Sequence, residues 1–354
     1  MMALRLSRRR PTAAAPPLLC RWDLDKTYLR SEFETLGQLW RTARERGADK
    51  VEVPGVPEVL KALRVAADRR GRALGIYFVS ASPPQIGKAI RDKLALDGVP
   101  YDGIVFKNQL EHLKRGKLRQ LREHVGFKLG VLLRGRLAAS ADTRELLFGD
   151  DWESDPLTYS LYADVLDGTL GAERLALVLG RIGADPALVP ELRLLAGQAS
   201  GAGGVERIFI NLERRTPPAV FRLYGVRLVP TFNYFQTALV LAAEGYIEVG
   251  DVERVARSLV DRSGYSARRL ENSLADLVRR RLLTSDAARL LAGPLREAAL
   301  LPASAGRRRG WLRRTVGRLG RRSRLGSAIP TIARATPLDY EAILDRLEAA
   351  KASA

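Results

Sequence analysis

The stretch PPLLCRWDLDKT (residues 16–27) decides how the chain is read: an apolar run stops abruptly on Asp23-Leu24-Asp25-Lys26-Thr27. The same punctuation recurs in LGIYFV (74–79) before SASPP, in DGIVF (102–106) before KN, and in ELLF (145–148) before GDD. Short runs that are apolar throughout are the mark of strands buried on both faces of a parallel sheet. Helical stretches separate them, at Phe33–Arg46, Val56–Arg69, Gln85–Leu96 and Lys128–Leu137. Strand alternating with helix predicts a doubly wound α/β sheet with right-handed crossovers. In such sheets ligands bind beyond the carboxyl ends of the strands, which is where the polar clusters sit.

Each cluster offers chemistry. Two carboxylates two residues apart, Asp23 and Asp25, can serve as nucleophile and as acid/base, the division of labour that phosphoryl transfer needs. Ser80-Ala81-Ser82-Pro83 puts hydroxyls and backbone donors at a helix start, a place that favours an anion. The plainer reading is that Ser82 caps the helix and Pro83 takes its first turn. GDDWESDP (149–156) holds four acids, which repel one another unless a cation is present, and hard oxygen ligands suit Mg²⁺. A solvated acidic turn is the alternative for that segment alone.

The order of these pieces resembles the four-part signature of the haloacid dehalogenase (HAD) superfamily: DxDxT, an apolar run ending in Ser, a lysine, then GDxxxxD. More narrowly, VSASP and GDDWESDPLTY are similar to the catalytic domain of actin-patch-type phosphatidate phosphatases, where the text runs close to SxSP and GDSGxxDPExY. The resemblance covers residues 17–168 and implies a HAD-like Rossmannoid parallel sheet with helices on both faces. It implies Asp23 as nucleophile forming an aspartyl-phosphate and Asp25 as the acid/base. Thr27 would brace the loop, and Ser80, Ala81 and Ser82 would hold the phosphoryl group. Mg²⁺ would be held by Asp23, Asp25, Asp150 and Asp155. Lys128, in GFKLGVLLRGRL (126–137), would be the phosphate-binding lysine opening its helix, with Lys107 as the competing assignment. Asp151 stands where that family has a small residue, and its role is open. About 50 residues separate Thr27 from Ser80, too few for a large cap, so an open site and a bulky substrate are expected.

From about Gly171 the pattern reads as helices alone, at Ala172–Gly180, Val205–Leu212, Asn233–Glu244, Val252–Arg262 and Ala267–Leu282. Asp251 and Ser266 are candidate N-caps and GQASGAGG (197–204) a loop. PTFNYFQTALVLAAEGY (230–246) reads as core. The predicted organisation is a basic tail (1–16), the HAD-like domain (17–168), an all-α helical domain (169–300), an Arg-rich segment (301–330) and a last helix (331–354).

Composition narrows the partners. The 354 residues, 46% apolar and 28% charged, are globular in composition, with room for two packed domains. One cysteine excludes a disulfide framework, and His112 and His124 are too few for the usual zinc sites. No apolar run reaches eighteen residues, so no transmembrane segment is expected, and the N-terminal stretch lacks the apolar core of a signal peptide. A cytoplasmic protein is expected. Lys and Arg exceed Asp and Glu by 19, and 13 arginines fall within residues 5–10 and 307–324. Trp311, Leu312, Val316 and Leu319 among those arginines suit peripheral contact with an anionic membrane through 305–327, with nucleic acid as the other anionic surface. The function expected is a Mg²⁺-dependent phosphomonoester hydrolase acting on a bulky substrate such as phosphatidate. The alternatives are a phosphatase acting on nucleic-acid or protein phosphate, or a non-catalytic protein that binds anionic surfaces.

Overall fold

The structure is a computed structural model that describes residues 15–24, 27–28, 52–80, 87–106, 117–152, 154–303 and 337–352. Outside these lie the expected helix at Phe33–Arg46, the basic tail, the Arg-rich segment 305–327, and Asp25, Ala81, Ser82 and Lys107. Among the described residues, no helix is long and apolar enough to cross a membrane.

Six parallel strands form one sheet: β1 (Leu18–Asp23), β2 (Leu74–Ser80), β3 (Gly103–Phe106), β4 (Arg144–Asp150), β5 (Val205–Asn211) and β6 (Leu228–Thr231). Their order, β3-β2-β1-β4-β5-β6, is that of a Rossmann-like fold. The helices are α1 (Val56–Arg69), α2 (Gly87–Leu96), α3 (Lys117–Leu137), α4 (Asp155–Leu166), α5 (Ala172–Ile182) and α6 (Val189–Ala199). They continue with α7 (Tyr234–Ala243), α8 (Val249–Ser263), α9 (Ala267–Arg279), α10 (Ser285–Glu297) and α11 (Tyr340–Ala352). A 3₁₀ segment, Pro218–Tyr224, precedes β6.

Two cores cover the two faces. On one, α1, α2 and α7 to α10 pack against Trp22, Phe78, Phe148 and Phe209. On the other, α3 to α6 and α11 pack against Leu147, Ile208, Ile210 and Leu228. Parallel strands so covered have little water-facing surface, which is why β1, β2 and β4 read as mainly apolar runs, interrupted only by groups such as Arg21 and Glu145. The aromatic residues form a ladder across neighbouring strands. Trp22 stacks on Phe148 with ring centroids 3.7 Å apart, and Phe148 on Phe209 at 5.1 Å. The second face buries a charged group instead: Arg21 Nε donates to Glu145 Oε2 at 2.6 Å, and the Tyr162 hydroxyl donates to Glu145 Oε1 at 2.9 Å.

The second half of the chain corrects the sequence reading. Val205–Leu212 is not a helix, and the region after 168 is not all-α: β5 and β6 extend the same sheet. Two features hid them. Arg207 interrupts β5, yet it is buried because its guanidinium pairs with Glu244 and donates to Val226 O at 2.8 Å. Pro230 interrupts β6, which tolerates it as an edge strand. Both cores mix residues from before and after 168, so the sheet does not end at the expected domain boundary.

Smaller differences have local causes. Asp251 is not the N-cap of α8 but the N3 residue of a capping box whose cap is Glu248. Ser266 does cap α9, accepting from Arg269 N at 3.2 Å. The loop expected at 197–204 is shortened because α6, absent from the sequence reading, runs to Ala199; α10 is likewise an additional helix. All ten residues of α7 are buried, in line with its reading as core.

The single cysteine tests the packing at the sheet centre. Burial pushes the Cys20 thiol up to about 12, against the opposing pull of Arg72 and Arg64. Since the thiolate is the reactive form, a disulfide reagent at pH 8 is expected to leave the native chain unmodified while titrating one thiol in denaturant. Equal rates in both conditions would contradict this core.

Candidate active site

The sheet reverses its winding between β1 and β4, and the crevice at such a switch point is where ligands bind. β1 ends on Asp23 and β4 on Asp150, and the register pairs Trp22 with Phe148 just below them. Asp155 opens α4 and turns back toward the strand ends. The three acids are buried, and one carboxylate oxygen from each lies within 4.8 Å of the others.

Lys128 and Thr27 tie the acids together. Lys128 Nζ lies 2.7 Å from Asp23 Oδ1 and donates to Asp155 Oδ1 at 2.6 Å. The Thr27 hydroxyl lies 3.2 Å from both Asp23 Oδ2 and Asp150 Oδ2, sharing its one proton between them. Backbone amides complete the setting: Trp152 N donates to Asp150 Oδ1 at 2.6 Å, and Asp150 N to Asp155 Oδ2 at 3.3 Å. Burial, and next the charge of Asp155, pushes the Tyr159 phenol well above its usual range, so its hydroxyl stays a donor, here to Phe148 O at 3.2 Å.

Gly149 makes room for this arrangement. A Cβ at that position would stand 2.6 Å from Asp155 Cβ, so any side chain there displaces the acid. Glycine before the β4 aspartate is therefore dictated by packing, not by backbone freedom.

Of the residues expected from sequence, Asp23, Thr27, Lys128, Asp150 and Asp155 come together. Ser80 ends β2 and is buried one position beyond Val79, the register partner of Asp23. Two expectations change. Lys128 does not open its helix, since α3 begins at Lys117 and the lysine stands mid-helix. Nor is the cluster open: Asp23, Thr27, Lys128, Asp150 and Asp155 are all 0% exposed.

Asp151, whose role the sequence leaves open, faces away from the acids. Its carboxylate accepts from Arg214 N at 2.9 Å and Thr216 N at 3.1 Å, pinning the loop after β5. The Arg214 guanidinium then lies 5.1 Å from the Trp152 ring centroid. This loop was not flagged by sequence because β5 was not recognised. A cavity of about 850 Å³ runs along the β6 edge past Phe221, Leu228 and Arg280, and its lining includes none of the clustered acids.

Three buried carboxylates against one ammonium form an all-oxygen donor set that fits a hard divalent cation. Comparison of the chain with protein-family models, with curated proteins and with solved structures finds no match.

Metal binding can be read without catalysis. Saturating Mg²⁺ is expected to raise the melting temperature of the chain, by about 2.7 kcal/mol of stability at a hundredfold excess over the dissociation constant. Asp150→Asn is expected to abolish the shift, and Gly149→Ala to reduce it by displacing Asp155. A melting temperature indifferent to Mg²⁺, or an unaltered shift in Asp150→Asn, would count against the site.

Proposed function

We propose that the chain is a Mg²⁺-dependent phosphomonoester hydrolase of the haloacid dehalogenase type, working through an aspartyl-phosphate. The observation that supports it is the convergence of Asp23, Asp150 and Asp155 around Lys128, from segments more than 120 residues apart in the chain. Scattered surface acids have no reason to meet in a buried cluster at a topological switch point.

In this reading Asp23 attacks phosphorus. A bond forms between its carboxylate oxygen and phosphorus while the ester P–O bond breaks, and the departing oxygen takes a proton from Asp25. Asp25 then removes a proton from water, whose oxygen attacks phosphorus, frees Asp23 and yields inorganic phosphate. Lys128 and Thr27 hold one oxygen each of Asp23, which fixes the nucleophile's orientation before substrate arrives. Ser80 would donate to a phosphoryl oxygen. Asp23, Asp150 and Asp155 would hold Mg²⁺, which would supply neutralisation of the charge that the phosphoryl oxygens carry.

The test uses the full chain and p-nitrophenyl phosphate. Turnover is expected to require Mg²⁺, to vanish with EDTA and to return on adding the metal. Asp23→Asn is expected to lower kcat by at least about a thousandfold, and Lys128→Gln by roughly a hundredfold or more. Wild-type turnover in Asp23→Asn would overturn the assignment.

The resemblance to phosphatidate phosphatases implies a lipid ester. That version requires the full chain to co-sediment with phosphatidate-containing vesicles and a chain lacking residues 305–327 to bind them less. Equal sedimentation of both chains would remove the membrane role of that segment.

A further inference from the structure

We infer that the candidate active site is served by a polar leaving-group pocket at the carboxyl ends of β5 and β6, which takes a hydroxyl-bearing group carrying a second anion. The inference rests on the phosphohydrolase reading above and names its substrate class.

A cavity of about 460 Å³ lies there, within the range of small-molecule pockets. Its lining includes none of the clustered acids, and two contacts connect it to them. Tyr234 lines it and donates its hydroxyl to Thr27 O at 3.2 Å, and the Thr27 hydroxyl contacts Asp23 and Asp150. Asn211 also lines it and is the register partner of Asp150.

Part of the lining is committed to the fold. The Gln236 amide donates to Ser273 O at 2.8 Å and to Asp276 Oδ2 at 3.0 Å, and Asn233 donates to Ser273 Oγ at 3.1 Å. These bonds lock α7 to α9 and make a stiff wall. Other groups have capacity left. Asn211 is 3% exposed; its Nδ2 donates to Glu213, while its Oδ1 has no hydrogen-bond partner among the described residues. A buried acceptor left so is destabilising, and a ligand hydroxyl would offset that cost.

Charge of both signs lines the cavity: Asp276 is paired with Arg279 and Arg280 and Glu213 accepts from Asn211, which leaves two guanidinium groups for a ligand. Arg215 and Arg269 both line the cavity, and neither has an ion-pair partner among the described residues. Arg215 is held at φ +57°, a left-handed conformation that non-glycine residues adopt at a cost and that recurs at ligand sites. The Arg269 guanidinium lies 3.7 Å from the Tyr265 ring centroid, so its planar fork is already oriented. Two such forks recognise phosphate or carboxylate, and amide groups recognise hydroxyls. An acyl chain placed here would desolvate both arginines without pairing them, an unfavourable exchange. The chemistry therefore favours a phosphorylated sugar or polyol bearing a second phosphate over a lipid phosphate.

The experiment compares kcat/KM of the full chain, with Mg²⁺, for a sugar bisphosphate, a nucleoside 3′,5′-bisphosphate, p-nitrophenyl phosphate and dispersed phosphatidate. The expected result is at least a tenfold preference for one bisphosphate over the aryl ester. The two bisphosphates distinguish the free sugar from the nucleoside as source of the hydroxyls. Arg215→Ala and Arg269→Ala are each expected to cut that preference by about 10- to 100-fold, with Arg215→Lys restoring part of it. Arg193→Ala, on the opposite face of the sheet, is expected to leave it unchanged. A preference for phosphatidate, or a ratio that neither arginine variant moves, would overturn the pocket. Calorimetric titration of the sugar bisphosphate into the full chain separates the two readings. Binding weakened by Arg215→Ala without any turnover defeats the hydrolase reading alone, whereas turnover of the aryl ester without bisphosphate binding defeats the pocket alone.

Discussion

One ammonium group between two carboxylates, with a third alongside, is the constraint on which this structure turns. Lys128 reaches Asp23 and Asp155 in a space where none of the three is exposed. Charges taken out of water are tolerated only when their partners are close and well placed, so the position of this lysine has to be enforced by packing. The 21-residue α3 does that. Leu129, Leu132 and Leu133 are buried in the core of the second face and fix the helix, so the Nζ arrives beside the acids without a flexible approach. A lysine on a loop could make the same contacts but would lose much more side-chain and backbone freedom on doing so.

Below the acids the sheet supplies a rigid support. The Trp22–Phe148–Phe209 stack on one face and the Arg21–Glu145–Tyr162 group on the other lie within the last few residues of the strands that carry Asp23 and Asp150. A slip of one residue between β1 and β4 would exchange these faces, placing an arginine among aromatic rings and a tryptophan beside Glu145. The register that sets Trp22 opposite Phe148, and so brings both strands to their terminal aspartates together, is thus specified twice, by apolar stacking and by a buried ion pair. Gly149 adds a third restriction, because only a missing side chain lets Asp155 close over β4.

Legibility in the sequence follows the same physics. β1, β2 and β4 were readable because each is a short apolar run ending on polar residues, and the acids and Ser80 were found by standing at those ends. Thr27, Lys128 and Asp155 entered only through the resemblance to the HAD signature. Val205–Leu212 reads as helix because Glu206 and Arg207 together interrupt the apolar run; nothing in the sequence announces that Glu244 and the Val226 carbonyl will satisfy that arginine. Pro230 disguised β6 in the same way. The loss had a functional consequence. The rule that flagged residues after β1, β2 and β4 would also have flagged Asn211 and the LERRT loop that follows it, had β5 been seen. Burial of the acid cluster was not legible either, since it is a property of the assembled fold and not of any one segment.

Asp150 and Asp151 show how the two halves of the chain come to share one site. Adjacent residues at a strand end point in different directions, so Asp150 enters the acid cluster while Asp151 accepts two backbone amides from the loop after β5. That loop carries Arg214 beside Trp152 and Arg215 into the neighbouring cavity. A single dipeptide therefore ties the acid cluster, built by β1, α3 and β4, to the cavity lined from the ends of β5 and β6 and from α7 and α9. Had the later helices formed a separate domain, this relation would depend on a linker, and the two sets of groups would move independently. Because β5 and β6 belong to the sheet itself, Asn211 and the loop that follows it are held beside Asp150 with the stiffness of the strands.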